Sequence, residues 1–227
     1  MSISPEVMLY GDFLYPKSHK PNYMMMEVII MVAQTKKKIS VSHMTKIAMM
    51  SVLAFVLMQF ELIVPIFPAF LKIDVSDLPA LILAFSMGPF AGIAVEGIKN
   101  LLHMFQTSTG GVGELANFII GISIVVPAAL IYKKSKSKRS AIIGLVVGTI
   151  VMSIVGGLAN YFILIPFYTN FMPIDAIIGM GAAVNPSIVS LETLILFGIV
   201  PFNIFKGIVL SIMTLVLYKR ISPILHK

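Results

Sequence analysis

The sequence predicts an all-α membrane protein: a compact bundle of six transmembrane helices with cytoplasmic N and C termini. Hydrophobic residues make up 58% of the 227 residues and charged residues only 12%. The mean hydropathy of +0.96 lies well above that of soluble globular domains. The formal charge of +7 comes from Lys and Arg clusters beside apolar runs. The positive-inside rule explains these clusters, so we predict contact with a lipid bilayer and no binding to nucleic acid.

The first 39 residues differ from the rest of the chain. Prolines and charged residues are scattered through them without helical period, and the apolar run over residues 24–32 is too short to span a bilayer. Acidic residues interrupt the segment and no small-residue cleavage site follows it, so it does not have the pattern of a secretory signal. We predict a disordered or expression-derived leader over residues 1–39 and a six-helix transmembrane domain over residues 40–227.

The first predicted span covers residues 46–66. A segment that mixes charged and apolar residues follows at 69–79 and is predicted to form a short ordered loop. Ser76 or Asp77 is expected to cap the next helix, because these residue types accept hydrogen bonds from the first backbone N–H groups. Pro79 is compatible with the first helical turn.

The number of spans depends on residues 79–105. As one helix this region would be about 40 Å long, with Gly88 and Pro89 in its middle. The basic clusters at residues 36–38 and 133–139 should both lie in the cytoplasm, so an even number of spans must separate them. We therefore predict a break at Gly88-Pro89, which gives four spans between the two clusters.

Three further apolar runs complete the predicted bundle. They cover residues 112–132, 141–165 and 193–218. The outer loop between the last two, at 166–192, is long and too apolar to be disordered. We predict that this loop is ordered and can act as a lid.

The last span contains the strongest candidates for a binding site. Asn203 and Lys206 are three residues apart, so they share a helix face near the middle of the apolar run. An ionisable group at that depth is costly and usually functional. Pro201 cannot donate to the carbonyl of Phe197, which loosens the helix just before the pair. The alternative is that Lys206 pairs with a carboxylate on another helix and only holds the bundle together.

Three more polar residues are candidate ligand contacts, each with a structural alternative. Glu114 and Asn117 open the fourth span after a glycine-rich turn, and Asn160 lies near the outer end of the fifth. Glu114 would also suit the positive end of its helix. Either asparagine would also serve as an interhelical hydrogen-bonding group.

A polar stripe on the third helix contains Glu96, Lys99 and His103. An internal Glu96–Lys99 pair with a snorkelling histidine explains this stripe at least as well as a role in ligand binding does. The four histidines lie in separate regions and the chain has no cysteine, so we predict no metal site. We also predict no catalytic residue and no cofactor. The Walker phosphate loop is absent from the sequence, and any work driven by ATP must come from partners.

The candidate residue types indicate the kind of ligand. Asparagine, lysine and tyrosine groups among many Phe, Leu and Met side chains suit a flat, mostly apolar molecule with several hydroxyl or amide groups. A strongly cationic ligand would require buried carboxylates and aromatic cages. A polyanion would require more than one deep basic residue. The sequence favours a neutral solute that contains a ring.

Several short motifs, taken together, resemble one family. They are Phe67-Pro68, LKIDVSDLP at 71–79, Gly88-Pro89, GELANF at 113–118, NYF at 160–162 and PFNIFKG at 201–207. In this order, after a basic flank, they resemble the riboflavin-binding S components of energy-coupling factor (ECF) vitamin transporters. The resemblance covers about residues 40–220.

The resemblance implies a fold, partners and contacts. It implies six helices in the cell membrane, with a substrate site near the outer face that is covered by the loops after spans one, three and five. Riboflavin would be the transported ligand, and the partners would be a transmembrane coupling subunit and two cytoplasmic ATPase subunits. By the family pattern, Asn203 and Lys206 would hydrogen-bond the flavin, with Asn170 or Asn160 as further contacts.

Three other functions remain open at this point. The chain could be an S component for another vitamin, such as thiamine or biotin. It could be a small intramembrane enzyme that uses Glu114, Lys206 or His103 as acid or base. It could also be a stand-alone, ion-coupled carrier.

Overall fold

The structure is a computed structural model that describes residues 41–225, with side chains described up to residue 218. The predicted leader over residues 1–39 lies outside this range. The described residues are mostly helical. The helices are α1 (Val41–Met58), α2 (Asp77–Met87), α3 (Pro89–His103), α4 (Val112–Ser135), α5 (Lys138–Ala159), α6 (Ile165–Tyr168), α7 (Ile174–Ala182), α8 (Leu191–Leu194) and α9 (Val200–Leu225). A 3₁₀ turn at Met104–Gln106 follows α3.

Within the described residues, four helical segments are long and apolar enough to cross a membrane. They are Val41–Met58, Val112–Ser135, Lys138–Tyr168 and Leu191–Tyr218. The apolar helix α2 has 11 residues and α3 has 15, both shorter than the roughly 20 residues that a perpendicular span needs. The membrane class of the prediction is confirmed in this form, and the six spans stay a prediction.

The predicted break at Gly88-Pro89 is confirmed. Helix α2 ends at Met87 and α3 begins at Pro89, with Gly88 between them at φ 100° and ψ 170°. A side chain on residue 88 would be strained at that backbone angle, which explains the glycine. Pro89 takes the first helical position, where its missing N–H costs no hydrogen bond.

The first predicted span is too long. Helix α1 ends at Met58, eight residues before the predicted end at residue 66, because the chain turns there and forms two short strands. Strand β1 (Leu62–Ile63) pairs antiparallel with β2 (Lys72–Ile73). The apolar character of 59–66 therefore belongs to a hairpin-like loop, and the all-α prediction is corrected by these two strands.

Helix α2 lies at the centre of the inner core. Residues 77–85 of this helix are all buried, and they pack in an apolar cluster with side chains of α4, α5 and α9 that includes Ile124, Leu145, Met152 and Leu210. Helices α4 and α5 approach closely, since a Cβ on Gly144 would lie 2.7 Å from the carbonyl oxygen of Ala128. Small residues at this interface allow the two backbones to meet.

Two long helices change geometry near their outer ends. A π-helical segment at Asn160–Leu164 joins α5 to α6, and a second at Ile195–Ile199 joins α8 to α9. The first segment ends immediately before Ile165-Pro166, and the second ends immediately before Val200-Pro201. Since proline lacks an N–H, the preceding turn relaxes to the wider i to i−5 pattern. The predicted loosening before Pro201 therefore takes the form of a π turn.

Candidate ligand-binding cavity

A cavity of about 630 Å³ opens among the loops and outer helix ends. This volume lies in the range of small-molecule sites. Its walls come from the α1–α2 loop, the end of α3, the start of α4, the region joining α5 to α7, and the first turns of α9. Both apolar and polar side chains face it, including Phe70, Leu71, Tyr168 and Phe202.

Asn203 and Lys206 lie one turn apart on α9, and both line the cavity. Asn203 is 4% exposed, and its amide donates to the carbonyl of Ile199 at 2.9 Å. A Cβ on Gly156 would lie 2.8 Å from this amide, so α5 can approach only because residue 156 is glycine. An asparagine amide has two donors and an acceptor, and the bond to Ile199 uses one donor.

Lys206 is held by two carboxylates rather than left free. Its Nζ lies 3.0 Å from Oδ2 of Asp74 and 3.0 Å from Oδ2 of Asp77. Burial raises the pKa of Asp74, but the ammonium groups of Lys206 and Lys99 and the hydrogen bond with Ser76 together outweigh burial and hold this pKa below its ordinary value. The carboxylate pairing that the structural alternative requires is therefore present, and the side chain also lines the cavity. Its role as a ligand contact stays a prediction.

A second buried lysine extends these ion pairs. Nζ of Lys99 lies 2.6 Å from Oδ1 of Asp77 and 2.7 Å from Oε2 of Glu96, so the predicted Glu96–Lys99 pair is confirmed. Lys99 also donates to the hydroxyl of Ser76 at 3.0 Å. The predicted capping role is wrong for both candidates: Ser76 occupies the N-cap position without a side-chain cap bond, and Asp77 lies inside the helix. Their side chains bind buried cations instead.

Glu114 organises the rim of the cavity at the start of α4. Its Oε1 lies 2.8 Å from Nδ1 of His103, and its Oε2 accepts from the hydroxyls of Thr107 at 2.9 Å and Thr109 at 3.2 Å. Thr107 in turn accepts from the backbone N–H of Gly111. Glu114 therefore ties the loop between α3 and α4 to the helix that follows it.

The three remaining asparagine candidates differ in position. Asn117 lines the cavity, and its buried Oδ1 has no hydrogen-bond partner within residues 41–218. Asn160 also lines the cavity and donates to the carbonyl of Gly156 at 2.8 Å. Asn170 is exposed, donates to the carbonyls of Pro166 and Phe167, and is not part of the lining. The structure brings Glu114, Asn117, Asn160, Asn203 and Lys206 to one cavity and leaves Asn170 outside it.

Asp74 and Asp77 are residues that sequence reasoning assigned to loops and caps. Asp74 lines the cavity directly, and Asp77 contacts the lysine that does. Their spacing of three residues, next to an apolar helix that holds no other charge, is a signal that could have suggested a buried role. In the described part of the chain, no group of three or more His, Cys, Asp or Glu side chains is arranged to hold a metal ion.

The family comparison decides the class of the protein. The family described as ECF transporter, substrate-specific component, matches residues 42–218. The chain belongs to this family. The resemblance seen in its motifs is thereby confirmed, and the S component is a membrane transport component rather than an enzyme. His103, Glu114 and Lys206 do line one cavity, as an intramembrane enzyme would require, but each is already paired.

Two curated relatives of this S component are bacterial transporters. It is 40% identical to the riboflavin transporter RibU of Staphylococcus aureus (strain TCH60) over 181 residues, which covers 80% of this chain and 90% of that protein. It is 38% identical to the riboflavin transporter FmnP of Bacillus subtilis (strain 168) over 186 residues, 81% of this chain and 93% of the relative.

A solved structure has the same fold as this S component. The structure described as "Structure and mechanism of the S component of a bacterial ECF transporter" superimposes with a TM-score of 0.65 at 39% sequence identity. The superposition covers 82% of this chain and 98% of the other. The mostly helical S-component fold is therefore shared.

Proposed function

We propose that this S component binds riboflavin at the outer face of the cell membrane and delivers it for ATP-driven uptake. One observation carries the proposal: Asn117, Asn160, Asn203 and Lys206, on three different helical segments, all line a single cavity. The names of the relatives, both riboflavin transporters, support the choice of ligand.

The chemistry of the cavity suits a neutral flavin. The isoalloxazine ring of riboflavin is flat and has carbonyl acceptors and one imide donor, and the ribityl chain has hydroxyls. Lys206 and Asn203 can donate to such acceptors, and the unpartnered Oδ1 of Asn117 can accept from an imide or hydroxyl. The cavity charges are balanced by pairs such as Lys206–Asp74 and Lys72–Glu61. A neutral ligand therefore needs no further counter-ion.

The proposed transport cycle depends on partners. The chain contains no Walker phosphate loop, so hydrolysis must occur elsewhere. The family name places the chain in transporters with an energy-coupling module. We propose a transmembrane coupling subunit and two cytoplasmic ATPase subunits as that module.

The proposed topology has six spans in the plasma membrane with both termini in the cytoplasm. The four long segments would be joined by α2 and α3, which together supply the second and third spans. The basic cluster at the junction of α4 and α5, at residues 133–139, then lies on the same side as the termini. The cavity and the loops around it lie at the opposite, outer end.

Titration of the purified protein with riboflavin tests the ligand. We expect a yellow protein in detergent and quenching of flavin fluorescence that saturates at one ligand per chain. The variant Asn203→Leu should weaken binding about tenfold, because one buried hydrogen bond is lost. A colourless protein without quenching, which instead binds thiamine or biotin, would contradict the choice of riboflavin.

Vesicle transport tests the dependence on partners. Reconstituted vesicles should take up riboflavin only when the coupling module and ATP are both present. Uptake by the S component alone, driven by an ion gradient, would favour the stand-alone carrier instead.

A further inference from the structure

Asp77 contacts two lysines from two different helices. It is the first residue of α2 and is 1% exposed. Its Oδ1 lies 2.6 Å from Nζ of Lys99 on α3, and its Oδ2 lies 3.0 Å from Nζ of Lys206 on α9. One carboxylate therefore connects the start of α2 to both neighbouring helices.

The two lysines have different access to a ligand. Lys206 is part of the cavity lining, whereas Lys99 is fully buried and neither Lys99 nor Asp77 belongs to the lining. Asp77 thus reaches a bound ligand only through Lys206. This separates Asp77 from Asp74, which lines the cavity itself.

The ammonium of Lys206 has three donors on a flexible four-carbon stem. It donates to Oδ2 of Asp74 at 3.0 Å and forms an ion pair with Oδ2 of Asp77 at 3.0 Å, so at least one donor remains for a ligand. Asp74 belongs to the loop between α1 and α2, which itself forms a wall of the cavity. Asp77 is fixed differently, because it begins a buried helix and its second oxygen is bound by Lys99.

Lys99 in turn is immobilised by three groups. Besides Asp77 it contacts Glu96 at 2.7 Å and Ser76 at 3.0 Å. Glu96 packs directly against Gly121 of α4, where any Cβ would collide with the carboxylate. The position of the Asp77 carboxylate is therefore determined by α2, α3 and α4 together. It has no contact with the ligand cavity.

We propose that Asp77, held by Lys99, is a positioning residue that aims the free donor of Lys206 at the ligand. The inference rests on the proposed riboflavin site. Its physical basis is preorganisation: a side chain that is already fixed before binding loses less conformational entropy when it meets the ligand. Without Asp77 the ammonium would keep Asp74 as its one carboxylate partner, and the donor would lose its direction.

A double-mutant cycle tests the proposal. We expect Asp77→Asn to raise the riboflavin Kd about tenfold and Lys206→Met to raise it about a hundredfold, by fluorescence titration. The double variant should bind like Lys206→Met alone, because Asp77 acts only through that lysine. Multiplied losses in the double variant, or unchanged binding in Asp77→Asn, would overturn the proposal.

Two more variants separate positioning from general stability. Asp77→Glu keeps the charge but moves the carboxylate by one methylene, so it should fold and still weaken binding several-fold. If Asp77→Asn does not fold, Asp77→Glu takes its place in the double-mutant cycle. Asp175→Asn is the matched control: Asp175 is exposed on α7 and absent from the lining, and its change should leave the Kd unaltered. Wild-type affinity in Asp77→Glu would contradict the proposal.

A measurement without ligand keeps the two proposals distinguishable. The same cycle is run on thermal unfolding of the ligand-free protein, where Asp77 and Lys206 should show a clear coupling. Failure of the wild type to bind riboflavin would overturn the proposed function, while coupling in this cycle would still support the positioning of Lys206. Additive unfolding effects would overturn the positioning, whatever the wild type binds.

Discussion

Two sets of ion pairs each contribute residues to the cavity lining, and the sets differ in burial rather than in distance. The inner set joins Asp74, Asp77, Glu96, Lys99 and Lys206 at 2.6 to 3.0 Å, with every side chain at most 8% exposed. The outer pair Lys72–Glu61 is equally short at 2.7 Å, but its side chains are 47% and 41% exposed.

The distance between two charged groups therefore does not by itself indicate how much their ion pair contributes to stability. Water screens the exposed pair, so breaking it costs little. A buried charge that loses its partner keeps the full desolvation penalty. The inner set should therefore dominate both stability and ligand binding, and the following substitutions test this from the largest expected effect to the smallest.

Lys99→Met should have the largest effect. It leaves the buried carboxylates of Asp77 and Glu96 without their common cation, and removing one partner of a buried pair costs about 3–5 kcal/mol. Thermal unfolding in detergent measures the loss. A variant as stable as the wild type would break the comparison, because it would mean that the inner pairs contribute no more than surface pairs.

Lys206→Met should lower stability, because it removes a cation from the buried Asp74 and Asp77, and it should also weaken ligand binding. The loss of a charged donor at the cavity wall should weaken riboflavin binding about a hundredfold, or about 2.8 kcal/mol, which is within the range for a hydrogen bond to a charged group. Fluorescence titration measures it. Lys134→Met, the same substitution at an exposed position near the end of α4, should bind like the wild type. Equal affinities in both variants would contradict the site.

Glu114→Gln should have an intermediate effect. Glu114 is 5% exposed, but its partner His103 is more accessible, at 22% of its side chain. Glutamine keeps an oxygen for one threonine hydroxyl, so we expect a loss of about 1 kcal/mol in the free energy of unfolding. A loss as large as that of Lys99→Met would show that the rim behaves like the buried set.

Lys72→Met should have the smallest effect on stability. Exposed ion pairs typically contribute about 0.2–1 kcal/mol, and Lys72 pairs only with the half-exposed Glu61. Unfolding at low and high salt measures the contribution. A large, salt-independent loss would contradict the screening argument.

Local sequence signals predicted the parts of the fold that depend on neighbouring residues. The break at Gly88-Pro89 follows from one positive φ angle and one missing N–H, both readable from the residue types. The shared face of Asn203 and Lys206 follows from helical spacing. The end of α1 at Met58 could not be predicted from local sequence, because an apolar run has the same composition in a helix and in a short strand pair.

Local sequence signals could not predict the partners of Lys206. Asp74 lies 132 residues earlier in the chain, and the contact exists only because the α1–α2 loop folds back over α9. Asp74 was expected in the short loop at 69–79 and Asp77 as a helix cap, and water can reach a charged side chain in either place. Their burial is a tertiary property. Asn170, likewise, carries the right chemistry for a ligand but lies on an exposed turn.

The π turn before α9 has a consequence for how the binding residues are oriented. A π turn holds one residue more than an α turn, and each residue of a regular helix advances the side-chain direction by about 100°. The segment Ile195–Ile199 therefore sets the rotational phase between α8 and the face that carries Asn203 and Lys206. Removing a single residue from this segment would turn that face away from the cavity without altering any residue that lines it.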